Sequence, residues 1–404
     1  LLNVRAATVG LFADAPGDFL AALQRDDDSV RGSDFVARRR YGDYLEATLT
    51  RVLDDAAARG HTLRLEAGEA QFVSPRVGGG LRVGTQSGPI DVDAVVLALG
   101  ALPPCPLPVV RRDACESGRY LRDPWRLPDF IELRHTAPRH VLVVGAGLTA
   151  VDTLLSAARH WPQAQLTAVS RHGRLPHAHS EQPAEPFAHQ AELNAALLEQ
   201  PRLRHWLRLV RETLCHEPAL DWRALIDGLR SDTPALWQAL DANERRRFLR
   251  HLHWLWETVR HRMPPVTAET IARLCADGRL RMLAGRVRDV YGEAPLAVRW
   301  QPRGRRETER LEADLVIQAT GLHTAVRATD HALMRQLVED GLVAPDPLDL
   351  GLAALPDGRL RRPDGTPWDG LRALGTLLRG TLWECSGLPE IRIAARRIAL
   401  EIAA

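Results

Sequence analysis

Three small residues at a fixed spacing form the clearest chemical motif in the chain. Gly145, Gly147 and Ala150 fit the pattern G-x-G-x-x-G/A. The first glycine permits a tight turn, the second lets a pyrophosphate approach the backbone, and the small third residue allows a helix to pack closely on a strand. The residues between them are Ala146, Leu148 and Thr149. The motif predicts dinucleotide binding at the start of a helix; a vestigial turn that no longer binds is the alternative.

The residues after the next predicted strand favour one nucleotide over the other. NAD sites place Asp or Glu about 20 residues beyond the motif, where the carboxylate binds the ribose hydroxyls. Here residues 169–174 read Val-Ser-Arg-His-Gly-Arg, without a carboxylate. The Ser170 hydroxyl and the Arg171 guanidinium suit a 2′-phosphate, so NADPH is predicted over NADH. The alternative is that these arginines are ordinary surface charge.

Two arginines after a predicted helix are candidates for substrate binding. Arg260 and Arg262 could each donate paired hydrogen bonds to a substrate carboxylate. A structural ion pair is the alternative for both. Asp152, one turn into the helix after the glycine motif, is interpreted as a packing or dipole-complementing residue rather than an acid catalyst. No residue is assigned a catalytic role.

Histidine pairs have the residue types of metal ligands, but no metal site is predicted. Residues two apart on a helix point to different faces, which counts against His251 and His253. His177 and His179 lie in a proline-bounded loop with no obvious further ligands. The five cysteines form no CxxC pair and no zinc spacing, which also disfavours a disulfide reductase.

Composition excludes several classes of function. The 53 basic and 51 acidic residues give a net charge of +2, which argues against a nucleic-acid or membrane-surface binder. Every basic residue is arginine, so Schiff-base chemistry and a GxxxxGK[ST] loop are ruled out. No apolar run reaches membrane-spanning length, and no GxSxG or HExxH motif occurs. We expect a cytoplasmic protein with a small-molecule substrate and leave its oligomeric state open.

The elements that position these residues follow from the pattern of apolar residues. Residues 93–100 and 314–321 each read acidic residue, apolar run, small residue, glycine. Such runs are typical of central parallel strands covered on both faces. Residues 140–144 predict the strand before the glycine motif, and residues 165–170 predict the next one. The alternation of strand and helix indicates an α/β fold.

Residues 187–263 have the periodicity of helices instead. One apolar stripe comprises Leu203, Trp206, Leu207, Val210 and Leu214, and a second comprises Phe248, Leu252, Leu255 and Val259. A capping box formed by Asp241 and Glu244 predicts the start of the second helical stretch, and Pro264-Pro265 its end. The segment is interpreted as a helical insertion that either packs on the sheet domain or covers the active site as a cap.

Segments along nearly the whole chain carry a family resemblance. Besides the Gly145 turn they are Leu2-Asn-Val-x-Ala6, Phe19-Leu20, Phe35-Val-x-Arg38-x-x-Tyr41-Gly42-x-Tyr44, Arg260-His-Arg262-Met-Pro264-Pro265 and Gly375-x-x-x-x-Gly380-x-x-Trp383-Glu384-x-x-x-x-Pro389-Glu390-Ile-Arg392. The chain resembles flavoproteins with two dinucleotide-binding domains. More narrowly, it resembles bacterial FAD/NAD(P)-binding proteins grouped with flavin-dependent aspartate N-hydroxylases and urate hydroxylases.

The resemblance implies FAD as a second cofactor, bound against the N-terminal segment and residues 375–384. The cofactor-binding residues predicted in addition to those of the NADPH site are Gly100, Thr320, Gly321, Gly375, Trp383 and Glu384. Such flavoproteins carry a first GxGxxG turn and an acidic ribose-binding residue near their N-terminus, and the printed chain has neither. We therefore expect an N-terminally truncated first domain. The prediction of FAD is supported more firmly by the family resemblance than by the motifs of this polypeptide.

These inferences combine into one expected architecture and function. The expected fold is α/β, with two Rossmann-like dinucleotide-binding domains and a helical insertion at about residues 187–263. Residues 1–135 and 322–404 would form the FAD-type domain, and residues 139–321 the NAD(P)-binding domain. The resemblance implies a flavin-dependent monooxygenase that hydroxylates a small polar substrate with NADPH as hydride donor. A flavin-mediated reductase for a partner or quinone, and a non-catalytic nucleotide-binding protein or truncated fragment, are the alternatives.

Overall fold

The structure, a computed structural model, describes residues 1–133 and 136–403. Its strands are β1 (Phe72–Pro75), β2 (Leu81–Thr85), β3 (Gly88–Val92), β4 (Val95–Leu97), β5 (Tyr120–Leu121), β6 (His140–Val144), β7 (Gln165–Ser170), β8 (Leu280–Tyr291), β9 (Leu296–Pro302), β10 (Glu309–Ala313), β11 (Leu315–Gln318), β12 (Arg359–Arg361) and β13 (Pro367–Ala373). Its first helices are α1 (Asp18–Asp26), α2 (Arg38–Ala58), α3 (Arg112–Glu116), α4 (Leu127–Leu133), α5 (Leu148–His160), α6 (Gln190–Glu199) and α7 (Leu203–His216). The remaining helices are α8 (Trp222–Gly228), α9 (Thr233–Ala239), α10 (Ala242–Arg247), α11 (His253–Arg260), α12 (Pro265–Ala276), α13 (Ala332–Glu339), α14 (Arg379–Leu382) and α15 (Leu388–Ala403).

A seven-stranded sheet forms the centre of the chain, in the order β10-β9-β8-β7-β6-β11-β5. From β8 to β5 neighbouring strands are parallel, whereas β9 and β10 extend the sheet as antiparallel strands. Alternate residues of β6 face opposite sides. Val141 and Val143 pack towards α5 and α12, and Leu142 packs towards α3 and the β8–β9 hairpin. The predicted central strand covered on both faces is confirmed for β11, whose Leu315 and Ile317 pack on one side of the sheet and Val316 on the other. The strand predicted at residues 140–144 is confirmed as β6.

A second sheet joins distant parts of the chain, in the order β12-β13-β4. β13 runs parallel to β4, with Leu371 opposite Val95. A small antiparallel sheet of β1, β2 and β3 packs beside it, and the Gln336 side chain of α13 bonds both backbone groups of Val73. Val96 of β4 is 36% exposed. The expectation of two covered faces is therefore wrong for β4, because Val96 remains partly exposed on one face while Leu97 is buried on the other.

The chain between β7 and β8 forms helices α6 to α11, as the periodicity predicts. Trp206, Val210 and Leu214 of the first predicted stripe pack on Leu225 and on other apolar side chains of α6, α8 and α9. A π-helical turn, Phe248–Leu252, joins α10 to α11, so the second stripe continues through an irregular turn.

The predicted capping box is half formed. The Asp241 carboxylate accepts hydrogen bonds from the backbone N–H groups of Asn243 and Glu244, at 2.7 and 2.8 Å. The Glu244 carboxylate accepts instead from the Leu203 N–H at 2.9 Å and from Arg247, so it ties α10 to the start of α7. Among the described helices, none is long and apolar enough to cross a bilayer.

The predicted domain boundary at residue 135 and the last residue of the chain, 404, lie outside the described residues.

Candidate functional site

The turn between β6 and α5 requires glycine at its first position. Gly145 has φ +132°, which other residues rarely adopt, and its N–H donates to the Val169 carbonyl at 2.9 Å. A Cβ on Gly145 would collide with the Ala319 carbonyl oxygen of the neighbouring chain segment. The glycine therefore permits both the turn and its close approach to the end of β11.

The rest of the turn leaves room for a ligand. Gly147 is exposed, and a Cβ built on it meets no described atom within 4 Å. No side chain of the described residues caps the first turn of α5, and that turn carries no acidic residue. Ala150 is fully buried, as close packing of helix on strand requires. The free backbone donors of a helix N-terminus thus face open space, which suits a phosphate group.

The end of β11 lies beside this turn. β11 is parallel to β6 with Gln318 opposite Val144, so Thr320 and Gly321 follow β11 at the same sheet edge as Gly145. Both are exposed, and Gly321 has φ +94° with open space around it. Ligands of open α/β sheets bind outside the carboxyl ends of the strands. The structure thus brings these predicted residues together.

Four arginines surround the turn that follows β7. Burial, together with the charges of Arg303, Arg171, Arg174 and Arg286, lowers the pKa of His172. No described carboxylate forms an ion pair with any of the four. The Ser170 hydroxyl accepts a hydrogen bond from the Gly173 N–H at 3.0 Å and so shapes the turn. The structure places Ser170 and Arg171 together and adds three arginines, two of them from distant segments.

A second pair of glycines ends the other parallel strands. Gly100 follows β4 and Gly375 follows β13; their φ angles are +67° and +74°, and a Cβ on either would meet no described atom within 4 Å. The Thr376 hydroxyl donates to the Gly100 carbonyl and holds the two strand ends together. These residues fit a ligand at that edge. Among the described residues, no strand–GxGxxG–helix turn accompanies β4 to hold a second pyrophosphate.

Trp383 lies inside the structure, facing the insertion. It is 5% exposed and stacks on Trp237, with 4.8 Å between the two ring centroids. The Arg379 guanidinium lies 4.4 Å from the centroid of the Trp383 ring. Its φ and ψ are +60° and −68°, and the Glu384 N–H donates to the Leu382 carbonyl at 2.8 Å. This is a classic γ-turn, which is rare and strained. The ring therefore fixes the backbone after α14 and presents little surface to a ligand.

The two candidate substrate arginines are engaged in separate ion pairs, one of them with Glu384. Glu384 binds Arg260 at 3.1 Å, and both side chains are about nine-tenths buried. The indole N–H of Trp256 donates to the same carboxylate at 2.8 Å. Arg262, 2% exposed, binds Asp227 of α8. Because α11 ends at Arg260, the two arginines pair with carboxylates of different segments, and these contacts favour the ion-pair alternative.

A charged cluster on α11 was missed by the sequence analysis. Glu257 accepts hydrogen bonds from His253 at 3.1 Å and from Arg379 at 2.9 Å, and His261 lies 3.7 Å from its other oxygen. Burial opposes ionisation of Glu257, but the His253 hydrogen bond and the charges of His261, Arg379 and His253 lower its pKa to about 2. Its side chain is still 36% exposed. The spacing of His253, Glu257 and His261, four residues apart on one helix face, was the sequence signal that could have predicted this cluster.

The remaining histidines of the sequence analysis are used elsewhere. His179 bonds the Asn3 carbonyl at 2.9 Å and packs against Phe35, while His177 packs on the Trp222 ring. In the part of the chain that the structure describes, no group of three or more His, Cys, Asp or Glu side chains is arranged so that it could hold a metal ion. Asp152 pairs with Arg38 of α2 at 2.8 Å.

The parallel sheets and the two glycine-lined strand edges define an α/β protein of Rossmann-like architecture. A family model described as FAD-NAD(P)-binding matches residues 1–102. No curated protein matches the chain.

Solved structures resemble the chain over nearly its whole length. L-lysine 6-monooxygenase from Pseudomonas syringae gives a TM-score of 0.65 at 17% identity, covering 100% of this chain and 87% of that one. Ornithine N-hydroxylase from Kutzneria sp. 744, with reduced FAD, NADP+ and L-ornithine, gives 0.61 at 16% identity, covering 95% and 80%. A cadaverine monooxygenase from Erwinia amylovora, bound to FAD, gives 0.57 at 14% identity, covering 96% and 77%. These likenesses confirm the predicted α/β fold with Rossmann-like domains. The narrower resemblance to aspartate N-hydroxylases and urate hydroxylases is not shown by these three.

Proposed function

We propose that this chain is an FAD- and NADPH-dependent monooxygenase that hydroxylates a small polar substrate. The observation that carries the proposal is the pairing of two open strand edges in one chain: the Gly145 turn with its arginines, and the Gly100–Gly375 edge. The relatives in fold support it, because they are monooxygenases of lysine, ornithine and cadaverine. An enzyme of this class needs one site for each of two cofactors.

The NADPH site combines the turn before α5 with the turn after β7. The backbone donors of α5 and the open face of Gly147 would hold the pyrophosphate. Arg171 and its neighbouring arginines would hold the 2′-phosphate, since several guanidinium groups without carboxylate partners attract a dianion. Thr320 and Gly321 would line the same edge. NADH lacks the 2′-phosphate and would leave these charges unmatched.

The flavin-side site is proposed at Gly100 and Gly375. Trp383 and Glu384 would support this site indirectly, by fixing the backbone that follows α14. When bound, FAD would accept the hydride of NADPH and supply the oxygen chemistry. The protein residues would orient the substrate and exclude water. Glu257, held ionised and partly exposed, offers an acceptor for a cationic or hydroxylated substrate. Arg260 and Arg262 would contribute to the site through their ion pairs with Glu384 and Asp227 and not by direct contact with the substrate.

The domain division belongs to the same proposal. Residues 1–135 and 322–404 would form the flavin-side domain, residues 139–321 the NADPH domain, and α6 to α11 the insertion between them. A cytoplasmic location in a bacterium and a small-molecule substrate complete the assignment.

Three measurements on the protein reconstituted with FAD test the reaction. NADPH oxidation, oxygen consumption and hydroxylated product are followed with a panel of primary amines and amino acids. Substrate-dependent product in step with oxygen uptake supports the monooxygenase. NADPH oxidation coupled to a quinone, with no hydroxylated product from any member of the panel, would instead identify the reductase.

Nucleotide preference tests the NADPH site without any turnover. NADPH should raise the melting temperature more than NADH at equal concentration, because a ligand that binds the folded state more tightly stabilises it more. Arg171→Ala should reduce the difference between the melting temperatures measured with NADPH and with NADH. Arg306→Ala, an exposed arginine on the β9–β10 connection, is the matched control and should leave it unchanged. Equal stabilisation by both nucleotides in the unsubstituted chain would contradict the 2′-phosphate assignment.

A further inference from the structure

His172 connects the turn after β7 to the helical insertion. Its imidazole stacks on the Trp254 indole of α11, with 4.2 Å between ring centroids and 18° between planes. The Nδ1 atom of His172 is buried and has no hydrogen-bond partner among the described residues. The same imidazole ring therefore contacts the insertion and borders the arginines of the proposed 2′-phosphate site.

The charges around His172 keep its imidazole neutral when no anion is bound. Arg171 and Arg174 come from its own turn, Arg286 from β8 and Arg303 from the segment after β9. Burial and these four positive charges lower the pKa of His172, and no carboxylate offsets them. A phosphate dianion placed among the arginines would reverse the sign of the local potential, which raises the pKa of a nearby imidazole.

We propose that His172 takes up a proton when a 2′-phosphate binds and that the resulting imidazolium strengthens its stack on Trp254. The inference rests on the proposed NADPH site. The proton comes from the solvent, and the imidazolium then carries an N–H donor on both ring nitrogens. A cation stacked on an indole face is held more strongly than a neutral ring.

Helix α11 connects the stack on His172 to the proposed flavin-side site. Trp254 lies on this helix, and Glu257, three residues further along, binds Arg379 at 2.9 Å. Arg379 directly follows residues 375–378, which begin with Gly375 of the proposed flavin-side site. Binding of the 2′-phosphate would thus tighten the contact of α11 with the nucleotide side while the same helix contacts the flavin side. By thermodynamic reciprocity, weakening the stack must weaken binding of the phosphate.

Calorimetry on the full chain at pH 7.0 tests the coupling with two probes. Adenosine 2′,5′-bisphosphate carries the 2′-phosphate, and adenosine 5′-monophosphate lacks it. Titrations in two buffers of different ionisation enthalpy give the number of protons taken up. We expect proton uptake with the bisphosphate alone, and loss of that uptake in His172→Gln. Trp254→Leu should bind the bisphosphate roughly fivefold more weakly, the worth of one cation–π contact.

Trp254→Phe is the matched control, because an aromatic ring retains the stack; it should recover most of the affinity. Circular dichroism and unchanged binding of the monophosphate establish that each variant is folded. Proton uptake that persists in His172→Gln, or equal bisphosphate affinity in Trp254→Leu and the unsubstituted chain, overturns this inference alone. Equal binding of the two probes to the unsubstituted chain overturns it together with the proposed NADPH site.

Discussion

The two glycines of the β6–α5 turn are required for different reasons, and substitution should separate those reasons. Gly145 combines φ +132° with a close approach to the Ala319 carbonyl. Gly147 has φ −77°, a value open to any residue, and nothing described lies within 4 Å of its Cβ position. Gly145→Ala should therefore damage folding, whereas Gly147→Val should damage binding only.

The magnitudes follow from these two environments. At Gly145 an alanine carries backbone strain of roughly 1–3 kcal/mol, and overpacking against a backbone carbonyl adds roughly 1–3 kcal/mol. The total, roughly 2–6 kcal/mol, is a large share of the ~5–15 kcal/mol that stabilises a typical protein. At Gly147 the cost to stability should stay within about 0.5 kcal/mol, as for an ordinary surface substitution. A valine there occupies the space of the pyrophosphate, so NADPH binding should weaken by about tenfold or more.

Urea unfolding followed by circular dichroism measures the first effect, and calorimetric titration with NADPH measures the second. Gly147→Ala, which adds the smallest side chain at the open position, is the control: its unfolding midpoint should match that of the unsubstituted chain. A Gly145→Ala protein as stable as the unsubstituted chain would refute the packing argument. Undiminished NADPH binding by a folded Gly147→Val protein would place the nucleotide elsewhere.

Three further substitutions test individual charges. Glu384→Gln leaves the buried guanidinium of Arg260 without its carboxylate and should destabilise the chain by ~3–5 kcal/mol; an unchanged urea midpoint would contradict this. Asp152→Asn breaks a partly exposed pair with Arg38 and should cost less than ~1 kcal/mol, with unchanged NADPH affinity; a loss of affinity would give Asp152 a role in the nucleotide site. Burial and the Arg262 charge lower the pKa of His179 from 6.5 to about 4, so the stability that depends on neutral His179 is present above pH 6.5 and lost as the pH falls towards 4. His179→Gln should reduce the pH dependence of the unfolding free energy between pH 6.5 and 4. An unfolding free energy that depends on pH as it does in the unsubstituted chain would contradict this prediction.

The nucleotide-side fold could be predicted because its signals are local. Strand β6, the glycine turn, helix α5 and strand β7 follow from apolar runs and glycine spacing within 31 consecutive residues, His140 to Ser170. Each element there agrees with its neighbours in period, length and turn chemistry, and such agreement specifies a structure strongly. The two apolar stripes of the insertion were predictable for the same reason.

The partners of charged side chains could not be predicted, because they come from distant parts of the chain. Arg260 and Arg262 are two residues apart, yet their carboxylates lie at positions 384 and 227. Glu244 fits a capping box, but its carboxylate caps the start of another helix. The arginines at 286 and 303 join the turn after β7 only because β8 and β9 extend past it. Sequence spacing shows which groups are available, and the fold decides which of them meet.

The sequence of the insertion allows two interpretations, packing on the sheet domain or covering the active site, and the contacts of α11 bear on the choice between them. A helix that only packs on a sheet domain contacts it through apolar side chains. α11 instead places Trp254 on His172 of the nucleotide side and binds Arg379 of the opposite side through Glu257. Both contacts involve aromatic or charged groups whose strength depends on the local charge. The strength of such contacts depends on the charge of a nearby phosphate or ammonium group, whereas the strength of apolar packing does not, and this favours the interpretation of the insertion as a cap over the proposed site.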